Sequence, residues 1–277
     1  MQFTKYTGLG NDFVFLDGAS ALSVQDPFSL AVKMCDRRFG VGADGLVLLL
    51  PSDKADVRMR IINSDGSEAE MCGNASRCVA LHWFTRKRTN KKQISLDTLA
   101  GIIRTDIIDL EKGLVRVDMD QPRLTRSQIP MTGAADERAV NVPLDVNGTQ
   151  IFGTAVSMGN PHFVTFVKNA QTAPVAELGP VLEKHAAFPR KTNVEFVQVL
   201  DDKTVRMRVW ERGAGITSAC GTGACATAAA CVLNGKTERK ITVKLDGGDL
   251  FIEWPEQKNI FMTGLAREVF TGEWPEN

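Results

Sequence analysis

The chain has 277 residues, 43% of them hydrophobic, with 33 basic and 33 acidic side chains. That length and apolar content suit two domains or one large one, with real cores, while formal neutrality argues against a polyanion partner, whether nucleic acid or acidic membrane surface. No run of roughly 18 apolar residues is present, so no bilayer-spanning helix is expected, and six cysteines read as free thiols in a reducing cytosol rather than a disulfide scaffold.

Met1–Tyr6 reads as a strand rather than a signal peptide. Gly8-Leu9-Gly10-Asn11 is a loop, and a second strand runs through Phe13–Leu16. Asp26 caps a helix that Pro27 opens and that reaches Met34. Arg38–Gly45 forms a glycine-rich turn into a strand over Leu46–Leu50. Its glycines precede a strand and match neither GxGxxG nor a P-loop, so they shape a loop near a small ligand rather than hold a phosphate. Asp56–Ile62 alternates as a strand, with Val57, Met59 and Ile61 on one face. The polar turn Asn63–Ser67 delivers the chain to Cys72. Ala75, Cys78, Val79, His82 and Trp83 then mark one face of a helix. The basic run Arg86-Lys87-Arg88 with Lys91-Lys92 reads as a solvated helix end. Residues 93–120 are strands with turns at Ala100-Gly101 and Lys112-Gly113.

After a polar, proline-containing loop near residue 121, a strand over Val205–Trp210 leads through Glu211-Arg212-Gly213-Ala214-Gly215 to Cys220. The next helix carries Ala224, Cys225, Ala228, Cys231 and Val232 on one face. Its other faces are also small, so it should be buried nearly all round and stop at Asn234-Gly235. Strands are expected near 240–246, 249–254 and 259–264, with one more at 268–270 in a tail that returns to the first half.

The two halves are copies. Asn11 and Asn160 lie 149 residues apart, as do Phe39 and Phe188; Val57-Arg58-Met59-Arg60 recurs as Val205-Arg206-Met207-Arg208 at an offset of 148, the offset that also relates Cys72 to Cys220. One slowly drifting offset is the mark of an internal duplication. The expected fold class is therefore α+β, two pseudo-symmetric domains spanning 1–120 and 121–265, with 266–277 packing back on the first. With no long linker at 120, a cleft is expected between them.

Chemistry concentrates at two Cys-Gly pairs, Met71-Cys72-Gly73-Asn74-Ala75 and Ala219-Cys220-Gly221-Thr222-Gly223. Each puts a thiol at a helix start, where unpaired N–H groups favour negative charge, so the cysteine is expected to ionise more readily than a free one. A lone cysteine before a helix is more often a small buried hydrophobe; two at equivalent places of a repeat are not. A carboxylate between the helix starts would meet the N–H groups of Gly73, Asn74, Gly221 and Thr222. One thiolate could then take a proton from the adjacent carbon while the opposite thiol donates one, with the same N–H groups holding enediolate charge. No pyridoxal, metal or other cofactor is needed. Two sulfurs flanking one carbon should also link under mild oxidation. Asn11, Asn63, Asn160, Asn193, Glu211 and Arg212 end or precede strand patterns and supply polar groups; a buried Arg212 beside Glu211 would suit a zwitterion, against the plainer reading of a salt-bridged loop. His162, beside Asn160, is the histidine expected at the cleft. Cys35, Cys78, Cys225 and Cys231 read as core and His82 as structural; Cys78 with His82, or Cys225 with Cys231, lacks the paired spacing of a zinc site.

The stretches Gly8-Leu9-Gly10-Asn11-Asp12-Phe13, Asp65–Asn74, Met158-Gly159-Asn160-Pro161-His162, Thr192-Asn193-Val194, Glu211-Arg212-Gly213 and Ala219–Gly223 together resemble the diaminopimelate epimerases over nearly the whole chain. The resemblance implies a barrel-like sheet around a central helix in each domain. It also implies cofactor-independent interconversion of LL- and meso-diaminopimelate for lysine and cell-wall precursors. Cys72 and Cys220 would be the acid–base pair. Asn11, Asn63, Gly73, Asn74, Asn160, Asn193, Glu211, Arg212, Gly221 and Thr222 would bind substrate, with His162 and Glu211 tuning catalysis. Thr7, Gly45 and Ile216 depart from residues common in the family. Racemisation of another amino acid, or a thiol redox or sensor role, are the other functions considered. Expected partners are a small amino acid and, in a homodimer, a second copy of the chain, with neither nucleic acid nor membrane; the expected location is cytoplasmic.

Overall fold

The structure, a computed structural model, describes residues 1–86 and 88–275. It divides into two compact units, Met1–Asp118 with the C-terminal residues from Thr263, and Met119–Met262.

In the first unit β1 (Gln2–Gly8) and β2 (Asn11–Leu16) form an antiparallel hairpin, its turn holding Leu9 and Gly10 at positive φ. Helices α1 (Gly18–Leu22) and α2 (Pro27–Cys35) lead to β3 (Gly45–Leu50), parallel to β2, and β4 (Val57–Asn63) returns antiparallel to β3. The two-residue β5 (Glu68–Ala69) pairs with β4 and turns the chain into α3 (Gly73–Thr85). Then β6 (Gln93–Thr98) runs parallel to β4, with β7 (Gly101–Asp109) and β8 (Leu114–Asp118) antiparallel in succession.

The second unit repeats this order. β9 (Val142–Val146) precedes β10 (Thr149–Ser157), which pairs antiparallel with β11 (Pro161–Phe166). α4 (Val175–Glu183) crosses to β12 (Asn193–Val199), parallel to β11, and β13 (Thr204–Glu211) is antiparallel to β12. The short β14 (Gly215–Thr217) pairs with β13 and leads to α5 (Gly221–Leu233); β15 (Lys240–Leu245) is parallel to β13 and β16 (Gly248–Glu253) antiparallel to β15. The chain then re-enters the first unit: β17 (Phe261–Leu265) pairs with β8, and β18 (Arg267–Glu273) pairs antiparallel with β1. Both units thus share one alternation of antiparallel and parallel pairings, as the duplication requires.

Burial explains the strand patterns. In β2 and β3, Phe13, Phe15, Val47 and Leu49 pack in one cluster with Ala75, Cys78 and Val79 of α3. Their neighbours Val14, Leu16, Leu46 and Leu48 pack on the opposite side with Ala31, Met34 and Cys35 of α2. Strands covered on both faces carry continuous apolar runs. β4 alternates over Val57–Ile61, and its Ile62 joins the α2 cluster on the other face. Inward residues of β4, β6, β7 and β8 join the α3 cluster, giving the barrel-like α+β architecture with the helix at its centre. Asp26 caps α2 as expected, its Oδ1 accepting from Phe28 N (3.1 Å) and Ser29 N (3.2 Å).

The central helix of the second unit is buried from Gly223 to Cys231, and its side chains there are Gly, Ala, Cys and Thr only. Nothing larger fits so close to a surrounding sheet. α4 carries Pro180 within it and has no clear signal in the sequence. Its contact face rests on a glycine: a Cβ at Gly179 would lie 2.5 Å from the Trp210 ring. Gly179→Ala should therefore destabilise by about 1–3 kcal/mol despite its better helix propensity, read as a lower urea midpoint at unchanged slope.

The basic run after α3 is largely paired. Arg86 bonds Glu268 (3.0 Å), Arg88 bonds Asp17 (3.1 Å) and Lys91 bonds Asp56 (3.3 Å); Lys87 lies outside the described residues. No helix among the described residues is long and apolar enough to cross a membrane.

Candidate active site

Cys72 and Cys220 are the N-cap residues of the two central helices, both with extended backbone (φ/ψ −142°/117° and −131°/110°). The first-turn N–H groups of Gly73 and Asn74 follow one thiol, those of Gly221 and Thr222 the other. Such groups have no intrahelical acceptor.

In the first unit the asparagines expected from sequence meet. Asn74 Nδ2 donates to Asn11 Oδ1 (2.5 Å), Asn11 Nδ2 donates to Asp44 Oδ2 (2.9 Å), and buried Arg77 donates to Asn74 Oδ1 (2.7 Å). Asp44 is held in turn by Arg37 (2.7 Å) and by the Asp12 N–H (3.1 Å). Asn63 ends β4, its Nδ2 donating to Ser67 Oγ (2.9 Å), while the next residue's N–H donates to Asp44 O (3.0 Å). Asp44 is thus the hub that fixes Asn11 and the Asn63 turn. Half-buried Cys72 closes this group, its carbonyl accepting from Ser76 Oγ (2.9 Å). Two further positions singled out in the sequence lie here. Thr7 Oγ1 donates to Asn11 O (3.0 Å). Gly45 pairs with Asn63 in the ladder, where a Cβ would be 3.0 Å from Ile62 O.

In the second unit a hydrogen-bonded series runs inward from the thiol. Cys220 Sγ accepts from Gly223 N (3.4 Å) and lies 3.6 Å from Thr222 Oγ1. Asn160 Nδ2 donates to Thr222 Oγ1 (3.4 Å), Asn160 Oδ1 is 3.0 Å from His162 Nε2, and His162 Nδ1 is 2.7 Å from Glu195 Oε1. His162 and Glu195 are both fully buried. Asn193 Nδ2 donates to Pro161 O (2.8 Å) and its Oδ1 accepts from Arg212 N (2.9 Å), which ties the starts of β11 and β12 to the end of β13. Glu211 accepts from Thr217 Oγ1. Ile216 pairs with Trp210 and is exposed; its neighbour Thr217 is the one that reaches Glu211, as the alternation of a strand dictates.

Two sequence expectations are overturned. Arg212 is exposed rather than buried beside Glu211, its Nη1 donating to Arg190 O (3.0 Å). Asn193 captures its backbone and the side chain leaves the turn, so Glu211 turns to Thr217 instead. The helix start also does not make Cys220 acidic. Burial pushes its thiol well above the ordinary value; the Thr222 and Gly223 hydrogen bonds oppose it without prevailing. Burial likewise raises the Glu211 and Glu195 carboxyls. Cys35, Cys78 and Cys231 are buried core thiols pushed up to about 12. His82 packs against Tyr6 and Phe15 with Nε2 3.3 Å from Asp17 Oδ2.

A pH effect follows. A thiol whose folded pKa exceeds its unfolded value stabilises the fold below the unfolded value of about 9, and that contribution is lost as pH rises through the folded value. Above about pH 9 the melting temperature of the wild-type protein should fall more steeply than that of Cys220→Ala. Parallel curves would show that Cys220 carries no raised pKa.

Sequence reasoning missed Glu195, Asp44 and Arg77. Glu195 did carry a signal: it is the single charged residue inside the buried strand Asn193–Val199.

A family profile described as diaminopimelate epimerase matches residues 3–125 and 154–269. The chain belongs to the diaminopimelate epimerase family. It is 57% identical to the diaminopimelate epimerase of Pelotomaculum thermopropionicum over 279 residues, 99% of either chain. It is 54% identical to that of Heliobacterium modesticaldum over 281 residues, covering 99% of this chain and 100% of the relative. Membership makes it an isomerase of amino-acid biosynthesis. Its fold is shared more widely. A Bacillus anthracis phenazine biosynthesis protein of the PhzF family superposes with a TM-score of 0.74 at 19% identity, covering 100% and 99% of the two chains. A hydroxyproline epimerase from Agrobacterium vitis gives 0.66 at 15% identity, covering 98% and 91%.

Proposed function

We propose that this protein interconverts LL- and meso-diaminopimelate without a cofactor, with Cys72 and Cys220 as the two proton-transfer groups at the α-carbon. The observation that carries the reading is the placement of one thiol at the N-cap of each central helix in a duplicated member of this family. In one direction the Cys72 thiolate takes the α-proton and the Cys220 thiol donates its own to the opposite face, leaving Cys72 protonated and Cys220 ionised; the reverse direction exchanges the roles. The raised Cys220 pKa suits it to start as the acid. Burial biases the Glu211 carboxyl toward its neutral form, which can then stabilise the thiolate that remains. The substrate α-carboxylate is assigned to the N–H groups of Gly73, Asn74, Gly221 and Thr222, and Asn11, Asn63, Asn160, Asn193, Glu211 and Arg212 to the rest of the ligand. Six cysteines with no disulfide among the described residues fit a cytoplasmic location.

The test is proton exchange. In deuterated water, with no pyridoxal phosphate, the purified protein should place deuterium at the α-carbon of diaminopimelate as the stereoisomers interconvert. A panel of stereochemically pure amino acids run beside it fixes the substrate. Absence of label, or faster inversion of another amino acid, would overturn the assignment.

A further inference from the structure

We propose that Glu195 is a positioning residue for this reaction: held as a neutral carboxylic acid, it donates to His162 Nδ1 and fixes the Nε2–H tautomer that orients Asn160 and, through it, Thr222 beside Cys220. The inference rests on the reading of Cys220 as a reacting thiol.

Three observations converge on it. First, the Asn160 amide is oriented by Nδ2 donation to Thr222 Oγ1, which turns Oδ1 toward His162 Nε2 at 3.0 Å. An amide oxygen only accepts, so Nε2 carries the proton. A neutral imidazole protonated there presents Nδ1 as an acceptor, and the atom 2.7 Å away that must supply the proton is Glu195 Oε1. Second, the other oxygen, Oε2, is buried and has no hydrogen-bond partner among the described residues. An ionised carboxylate would leave charge on an oxygen that nothing solvates, whereas the carbonyl of a carboxylic acid loses far less. Third, burial, the largest influence on Glu195, disfavours a negative charge, with His162 the neighbour that opposes it. Glu195 is fully buried, and the titratable groups around it are His162 on β11, Glu211 on β13 and Cys220 at the start of α5. Gly223 in the first turn of α5 closes the remaining side, where a Cβ would lie 2.8 Å from Oε1.

The side-chain nitrogens report the proton directly. The protein has three histidines, and His162→Gln identifies the signals of one of them in a ¹⁵N spectrum. Near neutral pH His162 should show a protonated Nε2 and an unprotonated Nδ1. Two protonated nitrogens, or the proton on Nδ1, would overturn the proposal whether or not diaminopimelate turns over. Glu195→Gln can still donate from its amide to Nδ1, so it should keep that tautomer and hold kcat/KM within about threefold of wild type. Glu195→Leu cannot donate; it should scramble the tautomer and lower kcat about 10²-fold, the scale of a small misplacement at a reacting group. Should the leucine variant fail to fold, the wild-type and glutamine spectra decide. Wild-type kcat in a folded Glu195→Leu protein would refute the positioning role.

Discussion

Replacing either Cys72 or Cys220 with alanine should lower epimerase kcat about 10³-fold, within the range a positioned acid or base supplies. The loss should also be one-sided. A protein with a single thiol can still remove and return a proton on one face of the α-carbon, but cannot deliver one to the other. Each variant should therefore exchange deuterium into one stereoisomer with retention, and the two variants should favour opposite stereoisomers. Chiral chromatography with mass detection reads both quantities at once. Full inversion by either variant, or equal exchange of both stereoisomers, would mean that the thiols are not the two bases.

The second large effect is expected from a single methyl group. Gly223 stands in the first turn of α5, and a Cβ there would lie 2.8 Å from Glu195 Oε1 and 3.2 Å from Cys220 Sγ. Both neighbours are buried and hydrogen-bonded, so neither moves without disturbing the series from His162 to Thr222. Gly223→Ala should cost about 1–3 kcal/mol of stability as an overpacked core position. It should also cut kcat by about 10²-fold through displacement of the thiol, while the far-ultraviolet circular dichroism stays that of the folded protein. Unchanged turnover would show that the first turn of α5 has slack at this point.

Much of this arrangement was legible before any coordinates. The drifting offset between the halves placed the two helix starts as equivalents in a duplicated fold, whereas the pairing order of the strands was not readable from it. Asn11, Asn63 and Asn193 were readable as site residues since each sits where a strand pattern begins or ends. What escaped were properties set by depth rather than by order. Arg212 looked like a partner for Glu211 because they are adjacent, yet Asn193 binds the Arg212 N–H at 2.9 Å and its guanidinium goes to Arg190 O. The helix start promised an acidic Cys220, but the same packing that makes α5 wholly small and buried strips the thiol of solvent. Glu195 was visible as a charge out of place in an apolar strand, and its meaning depended on His162, which reaches it only through the parallel pairing of β11 with β12.

The strand pairing also orders events during synthesis. The second unit is one continuous stretch, Met119–Met262, whereas the first is split around it and lacks its last strand until that stretch has been made. β1 pairs with β2 at once, but its other side waits for β18, in a register that joins Gln2 to Glu273. A nascent chain therefore carries an open sheet edge on β1 until β18 has been made, after the whole of the second unit has emerged. Such edges recruit other strands, and contacts this distant in sequence form last. Chains released before β18 has been made should thus be the species that chaperones hold and proteases remove.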